Sequence, residues 1–356
     1  MLAVTYLPST AAGWLAKTVA MTGHVICFGE VLLRFATPSH RLMVQCDALD
    51  MVVGGAEANV ASGLASLGHA VRMVTRLPAS PLGDKARAAL GAAGVDVSGV
   101  GSGPGRMGLY FLESGAGLRP SAITYDRAGS TFAGSAPEDF DFAAALDGAR
   151  LLHLSGITPA LGPGGVALAK AAVRAAQEAN VPICFDGNYR ALLWESWDSN
   201  PREILNELVS AATVMIGNHR DISLLLGKDF SGDGEDRRRE AAEAAFAAFP
   251  GLQYIASTAR HVANAAHHRI AARIDGRRAA YQTDEVEVTQ IVDRIGTGDA
   301  FAAGVLHRWL EGADIQKMAQ AGLAYTVLKH SLPGDMCLIG QGELDAFSAR
   351  GGDVRR

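Results

Sequence analysis

Residues 292–304 read VDRIGTGDAFAAG, a glycine turn that leads into a run of small and apolar residues. Gly296 and Gly298 precede Asp299, and the residues after Asp299 have the composition of a buried helix. A helix N-terminus carries unpaired backbone N–H groups and a partial positive charge, which together favour bound phosphate. A carboxylate at this point is either a helix N-cap or a base that accepts a proton beside a phosphoryl group. The motif by itself favours the N-cap.

Outward from this stretch, short apolar runs alternate with helical runs over most of the chain. The strand candidates are residues 24–35, 70–77, 150–157, 181–188, 212–219 and 252–259. The helix candidates are residues 56–68, 81–94, 163–180, 200–211 and 236–248. This alternation predicts an α/β fold, a doubly wound and mostly parallel sheet with helices on both faces.

One interval departs from the alternation. Residues 106–127, RMGLYFLESGAGLRPSAITYDR, read as two strands joined by a glycine-rich loop with no helix between them. They predict a small antiparallel sheet, which residues 33–53 extend. The pattern fits equally a lid over the carboxyl ends of the main strands, which would exclude water from a site, and a plain edge hairpin.

Composition and charge exclude several classes of protein. The chain has 356 residues, 49% of them hydrophobic, and a formal net charge of −5. Its arginines are scattered, so we expect no nucleic-acid partner, and no apolar run reaches the length of a membrane span. The four cysteines lie far apart, which is typical of reduced thiols in a cytoplasmic protein.

Polar residues follow two of the predicted turns. The Gly54-Gly55 turn opens a helix that carries Asn59, which suits either sugar hydroxyls or an ordinary strand-to-helix turn. In FDGNYRALLW, residues 185–194, Arg190 comes just after a strand, where the ligand crevice of an open α/β sheet lies. Arg127, in the small-sheet segment, is a second arginine next to aromatic residues. Each arginine either binds a carboxylate or forms a surface ion pair.

Taken together, these features resemble the PfkB, or ribokinase-like, family of carbohydrate kinases. The glycine pair, the lid-like insertions and the late G-x-G-D occur in the expected order between about residues 24 and 347. Four stretches, GLYFLE, YDRAGS, DGNYRALLW and HSLPGDM, are similar to those of the 2-keto-3-deoxygluconate kinases within that family.

The resemblance implies a ribokinase-like kinase domain over residues 23–350, after a tail at residues 1–22, with lid segments at about 33–53 and 106–127. It implies phosphorylation of the 6-hydroxyl of 2-keto-3-deoxygluconate, or of its galactonate epimer, with ATP and Mg²⁺. By analogy with relatives we expect a homo-oligomer, with the sugar acid and ATP as small-molecule partners and no membrane contact.

The resemblance also implies roles for individual residues. Asp299 matches the general base, and the amides of Gly296, Thr297 and Gly298 match an anion hole. The residues expected to contact the sugar acid are Gly54, Gly55, Asn59, Tyr110, Tyr125, Arg127, Arg190 and Asp335. The residues expected near the nucleotide are Asn218, Ser257, Gly296 and Gly298. No side chain is assigned to a metal.

The chain departs from the family pattern at two places. Thr297 stands where the family usually has alanine. In STARHVANAAHHRIAA, Arg260 and Ala263 replace the glycines of a T-x-G-x-x-G nucleotide turn, so we expect an adenine-side loop of another shape. We expect its histidines, His261, His267 and His268, to be exposed strand or loop residues and not metal ligands.

Two other functions remain open at this point. The first is a PfkB-family kinase for a neutral sugar such as fructose, for a deoxy-ketogluconate relative or for a nucleoside. The second is a non-catalytic relative that binds a sugar acid, which the altered nucleotide segment favours. An acid substrate needs a fixed cation, so Arg127 and Arg190 favour the sugar-acid kinase.

Overall fold

The computed structural model describes residues 23–347. The predicted tail at residues 1–22 and the last three residues of the predicted domain lie outside this part of the chain. Its strands are β1 (His24–Phe28), β2 (Leu32–Ala36), β3 (Asp50–Gly54), β4 (Val71–Pro78), β5 (Val100–Gly103), β6 (Gly108–Glu113), β7 (Ala122–Asp126), β8 (Ala149–Ser155), β9 (Ile183–Asp186), β10 (Val214–Ile216), β11 (Tyr254–Asn264), β12 (His267–Gly276), β13 (Ala280–Gln282) and β14 (Val286–Thr289). Its α-helices are α1 (Ala56–Ser66), α2 (Pro81–Ala92), α3 (Phe142–Leu146), α4 (Ile157–Ala160), α5 (Pro163–Glu178), α6 (Ala191–Trp194), α7 (Pro201–Ser210), α8 (His219–Leu226), α9 (Glu235–Ala248), α10 (Thr297–Leu310), α11 (Ile315–Lys329) and α12 (Gln341–Asp345).

Ten strands form the main sheet, in the order β13-β12-β11-β10-β9-β8-β1-β4-β5, with β14 also paired to β12. The strands from β5 to β11 in this order are parallel to their neighbours. The pairs that β12 makes with β11, β13 and β14 are antiparallel. The predicted α/β fold with a mostly parallel sheet is therefore confirmed.

The two faces of the sheet bury two separate cores, because alternate side chains of a strand point to opposite faces. Val25 and Cys27 of β1 pack with buried residues of α1, α10 and α11. Ile26 and Phe28 of the same strand pack with buried residues of α5, α7 and α9. This arrangement explains why the strand sequences are continuously apolar: both faces are covered by helices.

Local capping explains where several helices begin. Ser80 and Asp314 accept hydrogen bonds from backbone N–H groups in the first turns of α2 and α11. Asn200 does the same for α7, and Pro201 occupies the first helical position, where a missing N–H does no harm. None of the helices between residues 23 and 347 combines the length and apolar character needed to cross a bilayer.

A separate four-stranded sheet has the order β3-β2-β6-β7. Its β2–β3 and β6–β7 pairs are antiparallel, and its central β2–β6 pair is parallel. The two strands predicted within residues 106–127 are confirmed as β6 and β7. We call this four-stranded unit the small sheet.

Two local expectations are wrong. The apolar run at residues 24–35 is not one strand, because it breaks at Gly29–Val31 and continues as β2 in the small sheet. Both halves are buried, so the apolar pattern resumes directly after Gly29 and Glu30. The segment at residues 257–264 is not a loop, because it lies within β11 and pairs with β12 through seven registered residue pairs that include Thr258–Ala272 and Arg260–Ile270.

The histidines of this hairpin have different environments. His261 is exposed and contacts Glu285, just before β14, and His267 is partly exposed and contacts Glu287 of β14. His268 is fully buried, with its ring 6.0 Å from that of His330. The expected exposure is therefore wrong for His268, because strand alternation turns its side chain inward.

Candidate active site

Two clefts meet where the parallel strands end. The first has a volume of about 380 Å³ and is lined by small-sheet residues such as Tyr110 and Tyr125; we call it the small-sheet cleft. The second has a volume of about 670 Å³ and is lined by residues of β11 and β12; we call it the hairpin cleft. The residues shared by the two walls are Gly217, Ser257, Thr258, Arg260, Thr297 and Gly298.

The structure brings most of the predicted site residues to this junction. Those in the small-sheet cleft are Gly55, Asn59, Tyr110, Tyr125, Arg127, Arg190, Ser257, Gly296, Thr297, Gly298, Asp299 and Asp335. Those in the hairpin cleft are Asn218, Ser257, Thr297 and Gly298. Gly54 does not line either cleft, but it lies against Asp335, since a Cβ at Gly54 would overlap the Asp335 carboxylate.

Asp299 stands in the first turn of α10. The N-cap of that helix is Gly296, whose φ of 77° is in the left-handed region, so Asp299 is the third helical residue and not the cap. The first backbone hydrogen bond of the helix runs from the Ala300 N–H to the Gly296 carbonyl. The earlier amides, those of Thr297 and Gly298, therefore have no acceptor within the helix.

The Asp299 carboxylate is oriented by one hydrogen bond. Asn59 Nδ2, on α1, donates to Asp299 Oδ2 at 2.7 Å. Burial raises the pKa of Asp299 to about 6, and the hydrogen bond from Asn59 and the charge of Arg190 oppose a larger rise. Asp299 is thus an oriented carboxylate that gains and loses a proton close to neutral pH, which suits a general base.

A buried charge network joins the small sheet to the glycine turn. Arg34 of β2 forms ion pairs with Asp293 at 2.8 Å and with Asp335 at 3.0 Å. Tyr110 donates its hydroxyl proton to Asp335 Oδ2 at 2.6 Å. A Cβ at Gly296 would overlap the carbonyl oxygen of Asp335, so the turn and this network are in direct contact. Asp335 is 2% exposed.

Arg127 lines the small-sheet cleft but already has a partner. Its Nε donates to Glu30 Oε2 at 2.7 Å, and a terminal nitrogen contacts the same carboxylate at 2.5 Å. Ser130 donates its hydroxyl proton to the other oxygen of Glu30. Glu30 and Arg127 are both buried, so much of the Arg127 charge is balanced within the protein.

Arg190 is the freer of the two predicted cations. It lies just beyond β9, in the turn before α6, and its side chain is exposed in the small-sheet cleft. Burial raises the pKa of Asp186 well above its usual range, and the Arg190 charge opposes that rise. Arg190 therefore lies close to the acidic wall of the cleft and is available to an anionic ligand.

Buried carboxylates form that acidic wall. Burial and the Asp299 and Asp221 charges raise the pKa of Asp186, and burial raises the pKa of Asp221. Asp221 accepts a hydrogen bond from the Asn218 backbone N–H at 2.7 Å, and Asn218 caps α8 at the hairpin cleft. Within residues 23–347 no group of three His, Cys, Asp or Glu side chains is arranged to hold a metal ion.

Sequence reasoning did not single out Glu30, Arg34 or Asp293. Arg34 and Glu30 each occur within or beside an apolar run, and a charged residue there is a signal because such residues are rarely buried without a partner. Asp293 lies three residues before Gly296 and carried no separate signal. The partners of all three are distant in sequence, so only the folded chain identifies them.

Comparison with known proteins agrees with this geometry. Residues 22–336 match the family described as pfkB family carbohydrate kinase. The chain is 30% identical over 334 residues to a 2-dehydro-3-deoxygalactonokinase of Haloferax volcanii, which covers 94% of this chain and 99% of that protein. It is 27% identical over 314 residues to a 5-dehydro-2-deoxygluconokinase of Shouchella clausii, covering 86% of this chain and 90% of that one.

A solved structure extends the likeness to three dimensions. The crystal structure of a 2-dehydro-3-deoxygluconokinase from Thermotoga maritima superimposes with a TM-score of 0.87 at 36% sequence identity. The superposition covers 92% of this chain and all of that one. Both sequence and structure therefore place the two clefts on a scaffold shared with carbohydrate kinases.

Proposed function

The chain belongs to the pfkB family of carbohydrate kinases, and we propose that it phosphorylates the 6-hydroxyl of 2-keto-3-deoxygluconate, or of its galactonate epimer, with ATP. It is a sugar-acid kinase by its likeness to the 2-dehydro-3-deoxy sugar-acid kinases. The observation that carries the finer proposal is the position of Asp299, in the turn whose residues Thr297 and Gly298 line both clefts.

In the proposed reaction the acceptor lies in the small-sheet cleft and the nucleotide in the hairpin cleft. Asp299 accepts the proton of the 6-hydroxyl as its oxygen bonds to the γ-phosphorus of ATP. The bond from that phosphorus to the β,γ-bridging oxygen breaks, and ADP leaves with the bridging oxygen. In this proposal the amides of Gly296, Thr297 and Gly298 donate hydrogen bonds to the transferring group and offset its negative charge.

The acid end of the substrate requires a cation away from Asp299. Arg190 is exposed in the small-sheet cleft and suits a carboxylate. Tyr125, whose ring lies 6.3 Å from that of Tyr110, contributes an adjacent surface to the sugar. In this proposal Arg127 contributes less than Arg190 to binding the substrate carboxylate, because Glu30 already balances the Arg127 charge. In this proposal Gly55 and Asn59 contact the sugar hydroxyls, Asp335 lies at the cleft wall, and Gly54 leaves room for the Asp335 carboxylate.

ATP would occupy the cleft beside Asn218 and Ser257, and Mg²⁺ would accompany it. Mg²⁺ takes oxygen ligands, keeps several waters, and is usually held by one or two carboxylates together with phosphates. Asp186 and Asp221 fit this description: burial raises the pKa of both, and the Asp299 and Asp221 charges raise that of Asp186 further, so a cation between them would favour the ionised carboxylates. When bound, the ion offsets phosphate charge.

The remaining parts of the proposal concern the whole chain. We propose one kinase domain over residues 23–350, with the small sheet acting as a lid, in a cytoplasmic homo-oligomer whose partners are the sugar acid and ATP.

An ADP-release assay tests the function. We expect turnover with 2-keto-3-deoxygluconate or its galactonate epimer and none with fructose, ribose or adenosine. Asp299→Asn should lower kcat by about 10²–10⁴ while the protein still folds. Turnover only with a neutral sugar contradicts the substrate, and no turnover with ATP-binding intact supports a non-catalytic relative.

A second variant tests the cation. Arg190→Ala should raise KM for the sugar acid by about 10- to 100-fold, because one charge-assisted contact contributes about 1.5–3 kcal/mol. Arg127→Ala is a poor probe, since it leaves Glu30 buried without its partner. An unchanged KM in Arg190→Ala would assign the carboxylate to another residue.

A further inference from the structure

Arg260 and Arg294 lie at the junction of the two clefts. Arg260 lines both clefts, and Arg294 lines the small-sheet cleft two residues before Gly296. Neither side chain forms an ion pair or a hydrogen bond with the part of the chain that the structure describes. Other arginines of this protein do: Arg106 pairs with Asp126 and Arg308 with Asp345.

The two guanidinium groups also act on each other. Partial burial lowers the pKa of Arg260, and the charge of Arg294, which lines the same cleft, lowers it further. Burial holds the pKa of His268 and of His330 at about 4, and both arginine charges contribute. The two histidines are therefore neutral at pH 7, so the positive charge at this junction comes from the two arginines.

Two like charges without a carboxylate between them repel each other, so their position in a concave site indicates an anionic ligand. The acidic wall, with Asp186, Asp221 and Asp299, would in turn repel a phosphate that enters the junction. Cations on the facing wall offset that repulsion. The hairpin supplies one of them, because β11 carries Arg260 along the wall that both clefts share.

We propose that Arg260 and Arg294 bind the terminal phosphoryl group of the nucleoside triphosphate as it passes from the hairpin cleft to the small-sheet cleft. The inference rests on the proposed kinase function for the identity of the reaction. The guanidinium groups donate hydrogen bonds to the non-bridging oxygens of the γ-phosphoryl group while its bond to the bridging oxygen breaks and its bond to the acceptor oxygen forms. Neither arginine gains or loses a proton.

The junction suits a phosphoryl group better than the carboxylate of the sugar acid. The carboxylate is at C1, at the other end of a six-carbon chain from the hydroxyl that Asp299 deprotonates. Arg260 instead shares its wall with Thr297 and Gly298, whose amides lie next to Asp299. The glycine that the family turn would have here has no charge, so Arg260 supplies a contact that a glycine lacks.

Calorimetry with Mg²⁺ provides the test, with ADP compared with the non-hydrolysable analogue adenylyl imidodiphosphate. Each of the variants Arg260→Ala and Arg294→Ala should weaken the binding of the analogue by about 10- to 100-fold, as expected for a lost charge-assisted contact. Each should change the affinity for ADP by less than about threefold. Arg260→Lys should restore part of the loss. Arg278→Ala removes an exposed arginine outside both clefts and is the matched control. Thermal melting checks that each variant folds.

Kinetics give an independent readout. Both alanine variants should lower kcat by at least tenfold and leave the KM of the sugar acid within about threefold. If the variants weaken the binding of ADP and of the analogue equally, or weaken neither, the proposal is overturned. A rise in the KM of the sugar acid alone also overturns it, because Arg260 and Arg294 would then bind the substrate carboxylate. Absence of binding of either nucleotide to the unmodified protein would overturn it too.

The binding experiment uses no acceptor, so the two proposals fail separately. An unmodified protein that phosphorylates no sugar acid would contradict the proposed substrate. A loss of triphosphate preference in Arg260→Ala would still support the phosphoryl contact in that case.

Discussion

At the scale of single residues, Asp299 acts through its environment. Asn59 orients one oxygen of the carboxylate, and burial brings its pKa to about 6. An ordinary aspartate has a pKa near 3.9 and is a weaker base. The turn at Gly296 brings this carboxylate into the small-sheet cleft, next to Thr297 and Gly298, which line both clefts.

The pH dependence of turnover follows from that pKa. The base must be deprotonated, so kcat/KM should rise as pH increases through about 6 and level off above about 7. Asn59→Ala removes a hydrogen bond that lowers the pKa of Asp299, so its profile should move to higher pH. Rate profiles from pH 4.5 to 9 measure both. A profile that is flat down to pH 5 would contradict the role of Asp299 as a base.

Gly296 and Gly298 offer a matched pair of substitutions. Gly296→Ala places a Cβ against the Asp335 carbonyl at a φ of 77°, and we expect it to lower the free energy of unfolding by about 3 kcal/mol or more. A Cβ at Gly298 meets no atom within 4 Å, so Gly298→Ala should change stability by less than about 1 kcal/mol. Denaturant titration compares them, and equal losses would contradict this account.

At the scale of secondary-structure elements, the small sheet is anchored by charge. Arg34 of β2 is buried between Asp293, just before the glycine turn, and Asp335, in the segment after α11. One guanidinium thus ties the small sheet to two segments that border Asp299. A lid that moves must retain or exchange these ion pairs.

Removing Arg34 should disturb both the fold and the site. Arg34→Ala leaves the buried Asp335 and the partly buried Asp293 without their cation, which should lower the free energy of unfolding by about 3–5 kcal/mol. Arg72→Ala breaks a partly exposed pair with Asp96 and should lower it by no more than about 1 kcal/mol. Chemical denaturation measures both variants. Similar decreases in unfolding free energy for the two variants would mean that the Arg34 ion pairs stabilise the fold no more than an exposed ion pair does.

At the scale of the whole molecule, Glu57 makes stability depend on pH. It is 0% exposed, and Ser155 of β8 donates to Glu57 Oε1 at 2.5 Å. Burial raises its pKa to about 7. The folded state therefore holds a proton that the unfolded chain, with a pKa near 4.3, releases earlier. Stability from this group is present at low pH and is lost as pH rises from about 4.3 through about 7.

Glu57→Gln should remove the loss of stability that accompanies ionisation of Glu57. Above pH 7 the variant should be more stable than the unmodified protein by up to about 3 kcal/mol, and at pH 5 the difference should be small. The exposed Glu178→Gln is the control and should leave the pH dependence unchanged. Melting temperatures between pH 5 and 8.5 measure both. Identical pH dependence in Glu57→Gln and the unmodified protein would contradict the raised pKa.

Much of the architecture could be predicted because it depends on local patterns. The alternation of apolar strands and amphipathic helices indicates a parallel sheet, and GTGD indicates a helix that starts on a glycine turn. Two features could not be predicted from local patterns. The break at Gly29–Val31 lies between two buried strands, and residues 257–264 continue as a strand because β12 supplies hydrogen-bond partners.

The sequence by itself indicated the fold class through its periodicity, and the family and most of the residues that line the two clefts through the resemblance of its short motifs. Tertiary structure alone decided how those residues are paired. It joins Asn59 to Asp299 and Arg127 to Glu30 across more than ninety residues of chain. Among residues 23–347 it gives the Arg190 side chain no such partner. Long-range pairing depends on how the strands and helices pack, and no local pattern carries that information.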